Sequence, residues 1–166
     1  TGVGAGYSVN KQIIVGPNKL TGEWGQNPIP GPMDDYEKSV KRHCGRVGAI
    51  EVFLSGPGLE NYYEFISKAK KTSREIVSLY QEGDPVAIEV MNVYFERIAR
   101  AFSSFVNILD PDVIVCGGGM SEIDDIYNEI PTRIIPYIAS NFFLTPIIKA
   151  THGSSSGVRG AAHLWN

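Results

Sequence analysis

Glu23 and Gln26 stand three residues apart in "GEWGQN" (22–27), among glycines and beside Trp24. A carboxylate accepts hydroxyl hydrogen bonds at defined angles and an amide both donates and accepts, which is the chemistry that reads sugar hydroxyls. A polar turn with a core-packed tryptophan is the other reading of the same residues. Further on, "KRHCGRVGAIE" (41–51) ends on Glu51, flanked by Ile50 and Val52. A carboxylate in apolar company needs a partner, because desolvating it alone is costly; capping the helix that starts there is the alternative. His43 and Cys44 are adjacent, and neighbouring side chains do not converge on one ion without further ligands. Structural zinc takes four N or S ligands, commonly from a Cys-x-Cys or Cys-x-x-Cys half-site, and this loop supplies one thiol in that style. His152 reads as a solvated loop residue and His163 as a helix-face residue.

Two glycine loops offer backbone rather than side chains. "TGVGAG" (1–6) presents the Thr1 hydroxyl and the amides around Gly2 and Gly4, which could embrace phosphate oxygens. A flexible chain end is the alternative. Gly117, Gly118 and Gly119 follow an apolar run and precede "MSEIDDIYNEI". With no Cβ in the way, a ligand can approach that backbone closely, and a helix N-terminus just beyond it adds free N–H groups and a positive dipole end. A tight strand-to-helix turn explains the same residues.

The elements that must position these groups follow from periodicity and punctuation. Residues 6–16 carry two β-prone runs around Asn10-Lys11 and read as a hairpin. Residues 16–35, rich in proline and glycine, read as a long loop, either ordered or disordered. "IEVFLSG" reads as a short helix stopped by Gly56-Pro57-Gly58, with "ENYYEFISKAKK" as a second helix. "TSREIVSLYQEG" has a Ser/Thr entry and a glycine exit, and the helix from "DPVAIEV" starts with Asp84 as N-cap and Pro85 in its first turn. In that last helix Val86, Val90, Val93, Tyr94, Ile98, Ala101, Phe102, Phe105 and Leu109 recur at three- and four-residue steps. "DPDVIVC" reads as a strand, the segment after the triple glycine as a helix capped by Ser121, and "TPIIKATHG" as a further strand before a final helix. The sum is an α/β domain with helices outnumbering strands.

At 166 residues with 43% hydrophobic content, the chain is long enough for a real core. The 15 basic and 18 acidic residues are well mixed and sum to −3, so no basic face recommends nucleic acid or an anionic membrane. Cys44 and Cys116 lie in different contexts, which argues against a disulfide framework and for a reducing, cytoplasmic setting. No apolar stretch approaches a bilayer span, the start lacks the features of a signal peptide, and the absence of an initiator methionine suggests sequence upstream of Thr1.

Taken together, these segments resemble the ROK family of bacterial sugar kinases and sugar-responsive repressors. "TGVGAG" looks like the end of the family's second phosphate motif, "GEWGQN" is similar to its Glu-x-Gly-His sugar motif, and "CGRVGAIE" to its cysteine loop. "LDPDVIVCGGGMS" is similar to the adenosine-side motif and "HGSSSGVRGAAHLW" to the C-terminal helix. The wording of several segments is nearest the fructokinase or mannofructokinase-like members. The resemblance implies a ribonuclease-H-like fold of the sugar kinase, hsp70 and actin superfamily. Residues 1–166 would be its helix-rich C-terminal lobe, with the N-terminal lobe absent and residues 17–58 carrying the sugar motif and a degenerate zinc loop.

The resemblance also implies roles. Glu23 and Glu51 would bond sugar hydroxyls, with Gln26 where the family has a histidine serving sugar and zinc. Thr1, Gly2 and Gly4 would lie by the ATP phosphates, and Gly117, Gly118 and Gly119 by the adenosine. The general base is an aspartate of the family's N-terminal lobe, so no catalytic residue is expected here, and the chain alone should be inactive. ATP and Mg2+ serve the complete enzyme. A hexose such as fructose or mannose, the N-terminal lobe and a second copy of the chain are the implied partners. The family's zinc set of one histidine and three cysteines maps onto Gln26, Arg42, Cys44 and Ala49. One donor of four survives, so no metal ligand is expected; Arg42 would instead reach an acidic neighbour, and Val47, Ala49 and Ile50 would hold the loop by packing. The sensing module of a ROK-type repressor and a degenerate, non-catalytic copy are the alternative readings.

Overall fold

A type I′ hairpin turn needs left-handed backbone at both central residues, and Asn10 and Lys11 adopt it with φ of 52° and 63°. They join β1 (Ser8–Val9) to an antiparallel β2 (Gln12–Ile13), the hairpin expected there. The structure, a computed structural model, describes residues 2–162, apart from the side chain of Ser154; Thr1 and His163 lie outside the described residues. The chain divides into two compact units, Thr1–Val90 and Met91–Asn166.

The first unit is a proline-rich loop clamped onto short helices. A 3-10 helix at Trp24–Gln26 interrupts that loop. The backbone then runs alongside residues 48–50: the Ile29 amide donates to the Gly48 carbonyl at 2.8 Å and the Ile50 amide to the Asn27 carbonyl at 2.9 Å. A helix absent from the sequence-based reading, α1 (Asp35–Ser39), starts at a capping box in which the Glu37 amide donates to Asp34 at 2.7 Å. It places Tyr36 against Tyr62 and Phe65, with both ring pairs 4.8 Å apart.

α2 (Glu51–Leu54) and α3 (Gly56–Ser67) correct one expectation. Gly56-Pro57-Gly58 was expected to stop a helix, but it is the first turn of the next one. Ser55 is the N-cap, its hydroxyl accepts from the Gly58 amide at 3.3 Å, and Pro57 sits where no intrahelical donor is needed. α4 (Ser73–Gln81) enters through a Thr72/Glu75 capping box. α5 (Pro85–Leu109) begins at Asp84, which accepts from the Ala87 amide at 2.8 Å as expected of an N-cap.

The second unit is built on the rest of α5. Tyr94, Ile98, Ala101 and Phe102 are buried as their spacing predicts, while Leu109 at the helix end is 41% exposed. β3 (Ile114–Cys116) and β4 (Ile147–Lys149) pair in parallel, Ile114 opposite Ile147, and both of these residues are buried. Parallel strands require a crossover, and α6 (Asp125–Arg133) provides it. Ile126, Ile130 and Ile134 recur every four residues as its buried stripe. The expected Ser121 cap does not form. Ser121 donates its hydroxyl to the Gly118 carbonyl at 2.8 Å, closing a 3-10 turn over Gly119–Glu122, and α6 starts only at Asp125. α7 (Ser156–Ala162) is the last described helix. Among the described residues, no helix is long and apolar enough to cross a membrane.

Candidate functional site

The two glycines of "GEWG" are required by packing. The Ala5 amide donates to the Gly22 carbonyl at 2.8 Å, and a Cβ on Gly22 would stand 1.7 Å from the Ala5 carbonyl oxygen. At Gly25 it would stand 2.1 Å from the Val3 carbonyl oxygen. Neither position tolerates a side chain, so the 22–26 turn presses backbone to backbone against the 2–6 loop. Glu23 is held between these two contacts, and Gln26 donates to its Oε2 over a long 3.5 Å. Trp24 beside them is buried, so the turn is both a polar presentation and a core anchor. A cavity of about 630 Å3 is lined by Tyr7, Leu20, Gly22, Glu23, Trp24, Gln26, Asn27 and Arg46.

Glu51 reaches the same region from α2. It is the first residue of that helix but not its cap; it pairs with Arg42, whose Nε donates to Glu51 Oε1. The two side chains are 17% and 18% exposed. Arg42 Nη1 also lies 3.6 Å from Cys44 Sγ. These bonds raise the guanidinium pKa above its ordinary value, with Glu51 the main cause and Cys44 next. The Cys44 thiol is lowered, chiefly by the Arg46 backbone amide and then by Arg42. The loop between closes as a narrow reversal: the Arg42 amide donates to the Arg46 carbonyl and the Gly45 amide to the Arg42 carbonyl, both at 2.8 Å, and Lys41 bridges Val47. A Cβ on Gly2 would lie 3.6 Å from Glu51 Oε2, so the second carboxylate oxygen faces the glycine loop. Ala49 and Ile50 are buried and anchor the loop as expected, whereas Val47 is 37% exposed and contributes little packing.

The residues at the four zinc positions do not fit a metal. At the positions the resemblance assigns to zinc, Gln26, Arg42 and Ala49 offer no thiolate or imidazole, and Arg42 Nη1 lies 3.6 Å from Cys44 Sγ. Among the described residues, no three or more His, Cys, Asp or Glu side chains are grouped to hold an ion.

Gly117, Gly118 and Gly119 belong to the second unit, where they are exposed, Gly117 and Gly118 linking β3 to the 3-10 turn that Gly119 begins. A Cβ on Gly118 or Gly119 would meet nothing within 4 Å, so the backbone there is open to a ligand such as a nucleotide. The helix N-terminus expected just beyond them is displaced by the 119–122 turn. Lys149 lies close by, bonded to Glu122 at 2.8 Å and Asp124 at 3.3 Å. Burial pushes the Cys116 thiol up to about 11.

Gly2, Gly4, Glu23, Gln26 and Glu51 are therefore gathered in the first unit, and Gly117–Gly119 are placed in the second. Tyr7, Asn27 and Arg46 line the first unit's cavity without having been singled out from the sequence.

The architecture is a helix-rich α/β fold that superposes on the ROK hexokinase from Thermus thermophilus with a TM-score of 0.80 over 98% of this chain and 53% of its own, at 24% identity. The chain belongs to the ROK family, whose pattern it matches over residues 1–166. It is 38% identical over 168 residues to the N-acetyl-D-glucosamine kinase of Vibrio atlanticus (strain LGP32), covering 99% of this chain and 56% of that kinase. The chain thus spans about half the length of the curated relative it matches. A ROK family glucokinase from Streptomyces griseus, solved with glucose and AMPPNP, superposes with a TM-score of 0.85 over 99% of this chain and 57% of its own, at 20% identity. A ROK family transcriptional regulator described as a homologue of the E. coli MLC protein gives 0.66 over 89% of this chain and 39% of its own, also at 20% identity. At such identity these likenesses speak for the fold.

Proposed function

We propose that residues 1–166 are the C-terminal lobe of an ATP-dependent hexose kinase. The observation that carries the reading is that the 2–5 glycine loop packs against the Gly22–Gly25 turn bearing Glu23 and also faces Glu51 Oε2. Two carboxylates and an amide suit a ring of sugar hydroxyls, and the glycine amides beside them suit phosphate oxygens. In the complete enzyme Glu23 and Glu51 bond sugar hydroxyls and Gln26 orients Glu23. By the family resemblance, Thr1, Gly2 and Gly4 have the phosphate role and Gly117, Gly118 and Gly119 the adenosine role. Mg2+ with ATP supplies charge neutralisation for phosphoryl transfer. The base that accepts the hydroxyl proton comes from the other lobe, so this lobe binds and orients but does not complete the reaction.

The 38% identity to an N-acetyl-D-glucosamine kinase puts that amino sugar ahead of fructose and mannose as substrate. A coupled kinase assay on the full-length gene product should show ATP-dependent turnover with at least one of N-acetylglucosamine, fructose, mannose and glucose. Absence of turnover with all four would overturn the kinase reading. The likeness to a ROK regulator keeps a sugar-sensing module as the second reading; it predicts sugar binding without turnover and a DNA-binding segment upstream. Neither binding nor turnover would mark a degenerate copy.

A further inference from the structure

Resting on the reading that Glu51 meets a sugar hydroxyl, we propose that Arg42 is the positioning residue for that carboxylate. A guanidinium clasp, in place of a metal, orders the 41–51 loop and leaves Glu51 Oε2 facing the glycine loop at residues 2–5. A guanidinium presents several donors in one rigid plane, so a single side chain can tie two groups at fixed angles. Here Nε takes Glu51 Oε1 and Nη1 takes Cys44 Sγ at 3.6 Å. Its stem is fixed from below, because the Arg42 amide and carbonyl are both bonded across the reversal to Arg46 and Gly45 at 2.8 Å. The pair is mostly removed from water, so removing either partner leaves a charge without its counterion.

The geometry divides the carboxylate into two jobs. Oε1 is committed to the loop. Oε2 accepts no hydrogen bond from the described residues and lies 3.6 Å from where a Cβ on Gly2 would be. With Oε1 paired to the guanidinium, Oε2 is the carboxylate oxygen left to accept from a donor hydroxyl. The clasp adds a side-chain crosslink to the backbone bonds of the 42–46 reversal.

Three measurements on the full-length gene product test the clasp. Zinc in the protein as purified should be below about 0.1 equivalent per chain, and one equivalent would overturn the proposal. Arg42→Met should raise the sugar KM about tenfold while the ATP KM moves less than about twofold, with partial recovery in Arg42→Lys. An unchanged sugar KM in Arg42→Met would sink it. Arg42→Met and Glu51→Gln should each lower Tm by about 2–4 °C, and the double variant should lose no more than the larger single loss. Additive losses would show that the two side chains do not act together. If no sugar is turned over, the proposed function fails on its own. The zinc content and the Tm cycle then still decide whether the clasp exists.

Discussion

Cys44 and Cys116 show how the same residue type is divided by its surroundings. Cys44 is exposed, and its thiol is lowered by the Arg46 amide and the Arg42 guanidinium. Cys116 ends β3, and burial raises its thiol to about 11. Since the thiolate is the nucleophile, iodoacetamide at pH 8 should modify Cys44 well before Cys116. Peptide mapping by mass spectrometry reads the order, and equal rates would contradict the environments described. Raising the pH towards 11 should bring Cys116 into reaction, because its thiolate fraction grows as pH approaches its raised pKa. At this scale Cys44 was legible as a metal-loop cysteine without enough fellow ligands. Its guanidinium neighbour was legible only as a cation with an acidic partner somewhere, because the partner lies nine residues away.

Elements were legible where their signals are local. The N-caps at Thr72 and Asp84 act across three residues, so a sequence window contains both halves of each interaction. The Thr72/Glu75 box also carries a pH signature. The Glu75 carboxyl is held below its ordinary value of 4.5, first by the Thr72 amide, then by the Thr72 hydroxyl and Lys71. A folded-state pKa below the unfolded one contributes stability above 4.5 that is lost as pH falls through the folded value. The Tm gap between the natural chain and Glu75→Gln should therefore be constant from neutral pH down to about 5 and shrink progressively as pH falls below 4.5. A gap that persists at pH 3 would mean the carboxylate charge is not what the box uses. The Gly56-Pro57-Gly58 stretch misled because the same residues suit a helix stop and a helix first turn. The choice fell to Ser55, whose hydroxyl caps α3. Ser121 misled for a related reason: its hydroxyl bonds back to Gly118 and makes a turn where a helix start was expected.

For the whole molecule, the proposed function implies a division of labour that can be measured. Residues 1–166 expressed alone should give no detectable sugar phosphorylation under conditions where the full-length gene product turns over, because in-line transfer needs donor, acceptor and base positioned together. Turnover by the isolated chain would place the base within these residues and contradict the role given to the other lobe. The helix-rich α/β class was legible from periodicity alone: the buried stripe of α5 and the strand, glycine turn and helix of the second unit rest on patterns spanning a few residues. The amino-acid sequence by itself determined which chemistry-bearing residues are present, and that Gln26, Arg42 and Ala49 replace the donors a zinc would need. Only the tertiary structure decided which of them meet. Gly22 and Gly25 were ambiguous until the 2–6 loop closed against them, and Glu51 was ambiguous until the 42–46 reversal delivered Arg42 to it. A cap or a helical stripe is encoded within one turn of chain, whereas a backbone approach or an ion pair across a loop depends on how distant segments pack.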